Sequence, residues 1–220
     1  MIQPDEIIRS RRKTLAISID LFGRLIVRAP LTCSKERIFA FIEQKERWII
    51  QKRAEKKTAE VQLPTEDLNG YEFLLLGKTC KIVLTNEDRI AFDKKAYVVY
   101  VPEKNAKKRL IEWLRENSKR IFTTITEEKA KEMGVSFQSV DVSSAKGKWG
   151  SCSYDNKIRY AYRLIYAPID MIEYVVVHEL AHIRHKNHSL DFWMEVGKYI
   201  PDFKYRRKWL KQRGILLEIF

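Results

Sequence analysis

The chain has 220 residues, of which 45% are hydrophobic and 32% are charged, so it is large enough for one sizeable core or two small ones. No apolar run approaches about 18 residues, which excludes a membrane-spanning helix, and residues 1–6 lack the apolar stretch of a secretory signal. The net charge of +13 predicts an acidic substrate or partner.

The first segments predict a hairpin followed by a helix. Apolar and polar residues alternate in 14–20, and 25–30 resumes extended structure after a turn at residues 22–24. Residues 34–57 then show helical spacing of apolar side chains, and Ser34 is a plausible N-cap.

Further strands follow a polar stretch. The predicted strands are 73–76, 81–85 and 96–101. We therefore expect an α+β protein whose first domain, residues 1–103, is a β-rich module with a helix.

A long helix opens the second predicted domain, residues 104–220. Apolar spacing predicts this helix over residues 104–133, and Gly134 ends it. Two strands, 139–145 and 158–166, are expected before the next helix, and two short helices are expected to complete the chain.

All four histidines lie within residues 178–188 and begin with the pattern H-E-x-x-H. Residues four apart share one helix face, so His178 and His182 can bind a single zinc ion. Glu179 points to a neighbouring flank, where its carboxylate can accept a proton from a metal-bound water. The preceding apolar run predicts a buried helix, in which such polar side chains are costly unless they are paired or bind a metal.

The start of this helix is predicted from three residues. Pro168 ends the preceding segment, Asp170 is a plausible N-cap, and Glu173 lies three residues later as in a capping box.

The third zinc ligand has several candidates. His185 shares the helix face but lies about 10 Å along the axis from His178, which is too far on a straight helix. His188 can approach from another direction if the chain turns after His185, and Asn187 tolerates the left-handed conformation of such a turn. We therefore predict His188 as the third ligand and His185 as a solvated or outer residue, with Glu195 as the alternative ligand.

Several separated motifs carry a resemblance to a known family. They are Trp149-Gly150-Ser151-Cys152, the H-E-L-A-H segment, and Asn187-His188-Ser189 followed by Phe192-Trp193. In this order they make residues 148–201 resemble the YgjP-like family of zinc metallohydrolases, and more distantly the SprT-like proteases. The likeness extends weakly to Arg11-Arg12-Lys13-Thr14 and so covers nearly the whole chain.

The resemblance implies a zincin-like metallopeptidase domain over residues 104–220. It implies that His178, His182 and His188 bind Zn²⁺ and that Glu179 is the catalytic acid or base. Lys148 departs from the family, which usually has arginine before Trp-Gly-Ser-Cys.

The function predicted from these features is hydrolysis of a peptide bond in a peptide or protein substrate, by a zinc-activated water with Glu179 as general base. Candidates for stabilising the oxyanion are Tyr160, Tyr162, Lys148 and Arg163. One alternative is metal-dependent hydrolysis of nucleotide phosphoanhydride bonds, although the chain has no Gly-rich phosphate loop. Another is a non-catalytic, zinc-stabilised nucleic-acid-binding module, which would not need Glu179.

Basic runs give a second candidate partner. They are residues 9–13, 45–57, 104–109 and 204–213. The last run holds six cations and no acid, and its Tyr205 and Trp209 could stack on bases. Nucleic acid or a nucleotide is therefore a candidate partner, and the alternative is a solvated helix face. The sequence predicts no membrane partner and leaves the oligomeric state open.

The cysteines indicate the compartment. Cys33, Cys80 and Cys152 are too few and too scattered for a disulfide framework, so a cytoplasmic location is predicted. Cys152 could be a nucleophile or a zinc ligand, but we expect it to be a small buried residue.

Overall fold

Residues 2–19, 25–57 and 68–213 are described by the computed structural model of the chain. These ranges contain ten strands and six α-helices, which confirms the α+β class. The chain divides into two compact units, Met1–Gln62 and Leu63–Phe220. The predicted domain boundary after residue 103 stays a prediction, because a division into compact units does not by itself define domains.

The first unit contains a three-stranded sheet. Its strands are β1 (Glu6–Ser10), β2 (Ala16–Ile19) and β3 (Leu25–Pro30). The central strand β3 pairs in parallel with β1 and antiparallel with β2. Both strands of the predicted hairpin are confirmed, and its turn lies outside the described residues. β1 was not predicted, because it is mostly exposed and lacks a buried face.

The helical segment of this unit is two helices, α1 (Lys35–Gln44) and α2 (Glu46–Lys57), rather than one. The Ser34 side chain accepts a hydrogen bond from the N–H of Arg37 at 3.3 Å, so the predicted N-cap is confirmed. Ile38, Ile42 and Ile49 are buried and form the apolar stripe that the spacing predicted.

The second unit begins with a four-stranded sheet. Its strands are β4 (Glu72–Leu75), β5 (Lys78–Thr85), β6 (Ala91–Asp93) and β7 (Val98–Pro102), in the order β4-β5-β7-β6. The three predicted strands are confirmed with shifted bounds. β6 was missed because it has three residues and none of them is buried.

The long helix α3 (Ala106–Met133) ends at Gly134, whose φ of 62° is the left-handed C-cap that the sequence predicted. A second three-stranded sheet follows, with the order β8-β10-β9. Its strands are β8 (Ser139–Ser143), β9 (Gly150–Cys152) and β10 (Lys157–Ala161).

The predicted strand 158–166 is wrong beyond residue 161. Tyr162–Tyr166 is a 3-10 helix in which every residue is buried, so the alternation of a half-buried strand is lost there. The carbonyl of Ile165 accepts a 2.7 Å hydrogen bond from the N–H of Leu76 in the β4–β5 turn. The 3-10 helix lies between β10 and the start of the histidine-bearing helix, and this hydrogen bond joins it to the four-stranded sheet.

Three helices complete the described chain, namely α4 (Ile169–Arg184), α5 (Leu190–Tyr199) and α6 (Phe203–Gln212). α4 packs on α3, β9, α5 and α6. The predicted capping box is wrong, because the N-cap is Pro168 and no side chain caps the helix. Asp170 instead lies in the first turn, where its charge favours the positive end of the helix.

The described helices include none that is both long and apolar enough to cross a membrane.

The β4–β5 turn gives a test of how the start of α4 is fixed. Leu76 and Gly77 both have positive φ, 52° and 79°, as a two-residue type I′ turn requires. A Cβ on Gly77 would lie 2.8 Å from the Cα of Pro168. Gly77→Ala should therefore lower the free energy of unfolding in urea by about 2 to 3 kcal/mol.

Gly70→Ala is the matched control. Gly70 has nearly the same φ, 77°, but its nearest neighbour would be 4.0 Å from the new Cβ. Its cost should be limited to about 1 kcal/mol of backbone strain. Equal losses in the two variants would show that the contact with Pro168 has no energetic effect.

Candidate metal centre

Three of the four histidines converge at one point. One ring nitrogen from each of His178, His182 and His188 lies within 4.8 Å of the others. The Nε2 atoms of His178 and His188 are 3.1 Å apart. Two nitrogens on one tetrahedral zinc ion, with bonds of about 2.0 to 2.1 Å, are separated by about 3.3 Å. The three imidazoles therefore suit a single metal ion.

Two elements deliver these rings. His178 and His182 lie one turn apart on α4, which ends at Arg184. His185 then adopts an extended conformation, with φ of −124° and ψ of 98°. The chain reverses and brings His188 back just before α5. Asn187 is not among the positive-φ residues, so the expected left-handed turn there is wrong, since the extended His185 already redirects the chain.

His185 contributes through its backbone. Its carbonyl oxygen lies 3.0 Å from Nδ1 of His182. Because a carbonyl only accepts hydrogen bonds, Nδ1 of His182 carries the proton and Nε2 is left with a free lone pair. The His185 side chain is not part of the histidine group.

Aromatic side chains of α5 hold the imidazoles in place. The centroid of the Phe192 ring lies 4.9, 4.6 and 4.8 Å from the ring centroids of His178, His182 and His188, respectively. The Trp193 ring stacks on the His188 ring, with their centroids 5.6 Å apart and their planes inclined by 22°. Sequence analysis assigned these two residues no role beyond their place in a motif, although aromatic residues just after a predicted ligand were a usable signal.

The environment of two of the imidazoles favours their neutral form. Burial, followed by its two histidine neighbours, lowers the pKa of His178 to about 3. Burial also lowers the pKa of His182. Neutral imidazole is the form that binds a metal ion. Nδ1 of His178 is buried and has no hydrogen-bond partner among the described residues, so this side of the ring is not stabilised by a hydrogen bond.

Glu179 lies beside this group on the neighbouring flank of α4. Its side chain is 5% exposed, and burial raises its pKa to about 7. The positive charge of Lys148 and a hydrogen bond from the backbone of Cys152 act in the opposite direction and favour the carboxylate. Glu179 is therefore a buried acid that can exchange a proton near neutral pH.

Gly150 explains why a glycine precedes Ser-Cys in the family motif. A Cβ at this position would lie 2.6 Å from Oε1 of Glu179 and 2.8 Å from its Cγ. Only glycine lets β9 approach the Glu179 carboxylate so closely.

A cavity of about 330 Å³ opens beside Glu179 and His178. Backbone and side chains of β9, α4 and α6 surround it. Its other lining residues are Lys148, Trp149, Gly150, Tyr174, Val175, Arg207, Leu210 and Lys211.

Of the candidates for oxyanion stabilisation, only Lys148 lines this cavity. Tyr160 and Tyr162 are buried, and the hydroxyl of Tyr160 lies 3.1 Å from that of Thr126. Arg163 is also buried and donates a 3.3 Å hydrogen bond to the carbonyl of Ser144. These three side chains have structural partners.

Glu195 and Cys152 lie outside the histidine group. Glu195 forms an ion pair with Arg184, which also donates a 2.7 Å hydrogen bond to the carbonyl of Met133. Glu195 thus ties α5 to the end of α4. Cys152 is half-buried, and burial raises the pKa of its thiol, which disfavours the nucleophilic thiolate.

The basic segment 204–213 lies mostly on α6. Tyr205 is 60% exposed, whereas the ring of Trp209 is half-buried beneath the guanidinium of Arg213 at 5.4 Å. Binding of nucleic acid by this segment stays a prediction.

Comparison with known families decides the relationship. A sequence model described as YgjP-like, metallopeptidase domain, matches residues 13–213. The chain belongs to the YgjP-like family. The resemblance inferred from its motifs is confirmed, and the protein is a metallopeptidase-type enzyme. Membership implies a divalent metal ion and a peptide or protein substrate.

Two solved structures are similar to part of this YgjP-like chain. The metallopeptidase zymogen jannalysin of Methanocaldococcus jannaschii has a TM-score of 0.39 and 19% identity over 42% of this chain and 95% of its own. The metallopeptidase zymogen abylysin of Pyrococcus abyssi has a TM-score of 0.38 and 21% identity over 41% of this chain and 93% of its own. No curated protein sequence matches the chain.

The contact between Gly150 and Glu179 can be tested by substitution. Gly150→Ala should displace the Glu179 carboxylate and lower peptidase activity about 100-fold, because small misplacements of a reacting group are costly. Bound metal and the thermal unfolding midpoint should be measured with activity. Gly147→Ala is the control, since a Cβ there meets nothing within 4 Å. Wild-type activity in Gly150→Ala would rule out this positioning role.

Proposed function

We propose that the protein is a zinc-dependent peptidase in which His178, His182 and His188 bind the metal ion and Glu179 is the general base. The observation that carries this proposal is the convergence of three imidazole nitrogens next to a buried carboxylate, which lines the same cavity as His178. Family membership supports the reaction class.

Glu179 carries out the proton transfers of the proposed reaction. A divalent ion, when bound, supplies a Lewis acid that polarises the substrate carbonyl and lowers the pKa of a water molecule. Glu179 accepts the proton of the attacking water and passes it to the leaving amine. Burial raises the pKa of this carboxyl group above its ordinary value, so the same side chain can accept the proton and then donate it.

The free edge of β9 supports binding of an extended peptide. β9 is an edge strand of its sheet among the described residues. The N–H of Ser153 donates a hydrogen bond to the carbonyl of Lys157, and the carbonyl of Trp149 accepts one from the N–H of Ala161. Alternate residues of an antiparallel strand face opposite edges, so the backbone groups of Gly150 and Cys152 point away from β10. Glu179 binds the Cys152 backbone, so this edge is the one beside the proposed base. A substrate strand added here would lie next to Glu179.

Substitution of Glu179 separates catalysis from metal binding. Glu179→Gln should retain zinc and near-native stability but lose about 10² to 10⁴ of the hydrolysis rate, because an amide cannot accept the proton. His178→Ala, His182→Ala and His188→Ala should lose metal affinity as well as activity. Zinc content by elemental analysis and peptide cleavage are measured on the same preparations.

Two further variants are controls for the third ligand. His185→Ala should keep zinc, because the carbonyl that contacts His182 remains. Glu195→Ala should also keep zinc, while loss of its ion pair with Arg184 lowers stability by up to about 1 kcal/mol. Full zinc occupancy in His188→Ala together with metal loss in Glu195→Ala would show that the third ligand is Glu195 on α5 and not His188.

A second candidate function is hydrolysis of nucleotide phosphoanhydride bonds. The observation that favours it is the presence of Lys148, Arg207 and Lys211 around the cavity, since cations also stabilise phosphates. Parallel assays of peptides and nucleoside triphosphates, with Glu179→Gln as the blank, distinguish the two. The cytoplasmic location and a nucleic-acid partner stay predictions of the sequence.

A further inference from the structure

The cations of α6 have different surroundings. Arg206 is neutralised, because its Nε lies 2.9 Å from a carboxylate oxygen of Asp202 and its Nη1 lies 4.0 Å from Glu173. Arg207 and Lys211 are four residues apart on the same helix, so they share the face that lines the cavity beside Glu179. These two cations of the helix face the candidate active site.

Arg207 is held close to the histidines. Its guanidinium carbon lies 4.7 Å from the centre of the Trp193 ring. That ring stacks on His188 at 5.6 Å and on Phe203 at 5.3 Å. The cation therefore rests on an aromatic ring that itself packs against a proposed ligand. This contact limits how far an otherwise exposed arginine can move from the site.

The cavity has an unbalanced charge. Lys148, Arg207 and Lys211 line it, and among the described residues of its lining the only acid is Glu179, which the proposed reaction uses as a base. None of the three cations forms an ion pair with a carboxylate in the described part of the chain. Cations gathered around one cavity repel each other and attract an anion, so a bound carboxylate would relieve the repulsion.

The shape of the cavity suits the side chain of an acidic residue. Val175, Leu210 and Trp149 offer apolar surface to the methylene groups of such a side chain. The planar guanidinium of Arg207 can bind both oxygens of a carboxylate, and the two lysines add charge without directional constraint. Gly150 is part of the same lining, so a peptide extended along β9 passes the entrance.

We propose, resting on the peptidase function above, that the substrate carries a glutamate or aspartate beside the cleaved bond and that Arg207, supported by Lys211 and Lys148, binds its carboxylate in this cavity. The site selects acidic peptides, and Arg207 determines this specificity.

The test uses pairs of internally quenched peptides that differ only by Glu or Gln at one position on either side of the cleaved bond. All have amidated C-termini, so a side chain supplies the only carboxylate that varies. The zinc-loaded wild-type protein should cleave one Glu peptide with kcat/KM about tenfold above that of its Gln partner. Added salt should reduce this ratio, because part of the attraction is screened.

Variants of α6 assign the preference to a residue. Arg207→Gln should bring the Glu/Gln ratio close to one, and Arg207→Glu should favour a Lys peptide over the Glu peptide. Lys208→Gln is the matched control, because it removes the same charge from the adjacent residue, which does not line the cavity. It should keep the wild-type ratio. Thermal unfolding of Arg207→Gln and Lys208→Gln shows whether either variant is destabilised.

A binding measurement separates specificity from turnover. Zinc-loaded Glu179→Gln should bind the Glu peptide about tenfold more tightly than the Gln peptide, and the Arg207→Gln, Glu179→Gln double variant should not discriminate. Peptide cleavage without a Glu preference would overturn the inference and leave the peptidase function standing. Failure to cleave any peptide would overturn the proposed function and this inference with it.

Discussion

The close approach of β9 to α4 at Gly150 is the constraint on which the rest of the candidate site depends. α4 is buried on most of its surface, so the carboxylate of Glu179 is withdrawn from water, which is costly unless polar groups replace the solvent. The backbone of Cys152 supplies one such group and the charge of Lys148 another. The close approach of β9, which brings the Cys152 backbone to the carboxylate, is possible only because position 150 has no Cβ. One glycine thus allows a carboxylate to be buried and still ionise.

The histidine group depends on where α4 ends. If the helix continued beyond Arg184, His185 would stay on the face of His178 and His182, but too far along the axis to join them. The extended conformation of His185 instead exposes its carbonyl to Nδ1 of His182 and sends the chain back towards the helix. The end of the helix at Arg184 therefore fixes the tautomer of His182 and also allows the imidazole of His188 to reach the site. Phe192 then packs against all three rings.

The sequence predicted the parts of the fold and site that depend on local patterns. The spacing within H-E-x-x-H placed two imidazoles on one helix face, and Gly134 was a recognisable C-cap. Predictions failed where tertiary contacts override local preference. Tyr162–Tyr166 has strand-like residues but is buried on all sides and forms a 3-10 helix. Asn187 has a suitable side chain for a left-handed turn, but His185 had already redirected the chain.

Contacts between residues that are far apart in the sequence were not predicted either. Nothing in the order of residues brings Arg207 to the histidines or Gly150 to Glu179, because both contacts require the packing of α4 on α6 and β9. The net charge of +13 and the four basic runs predicted an acidic substrate or partner, but not which cations would bind it. The structure shows that neighbouring cations on α6 have different surroundings, since Arg206 is neutralised by acids and Arg207 rests on Trp193. Because Arg207 has no carboxylate partner among the described residues, its charge is available to an anion that enters the cavity beside the proposed base.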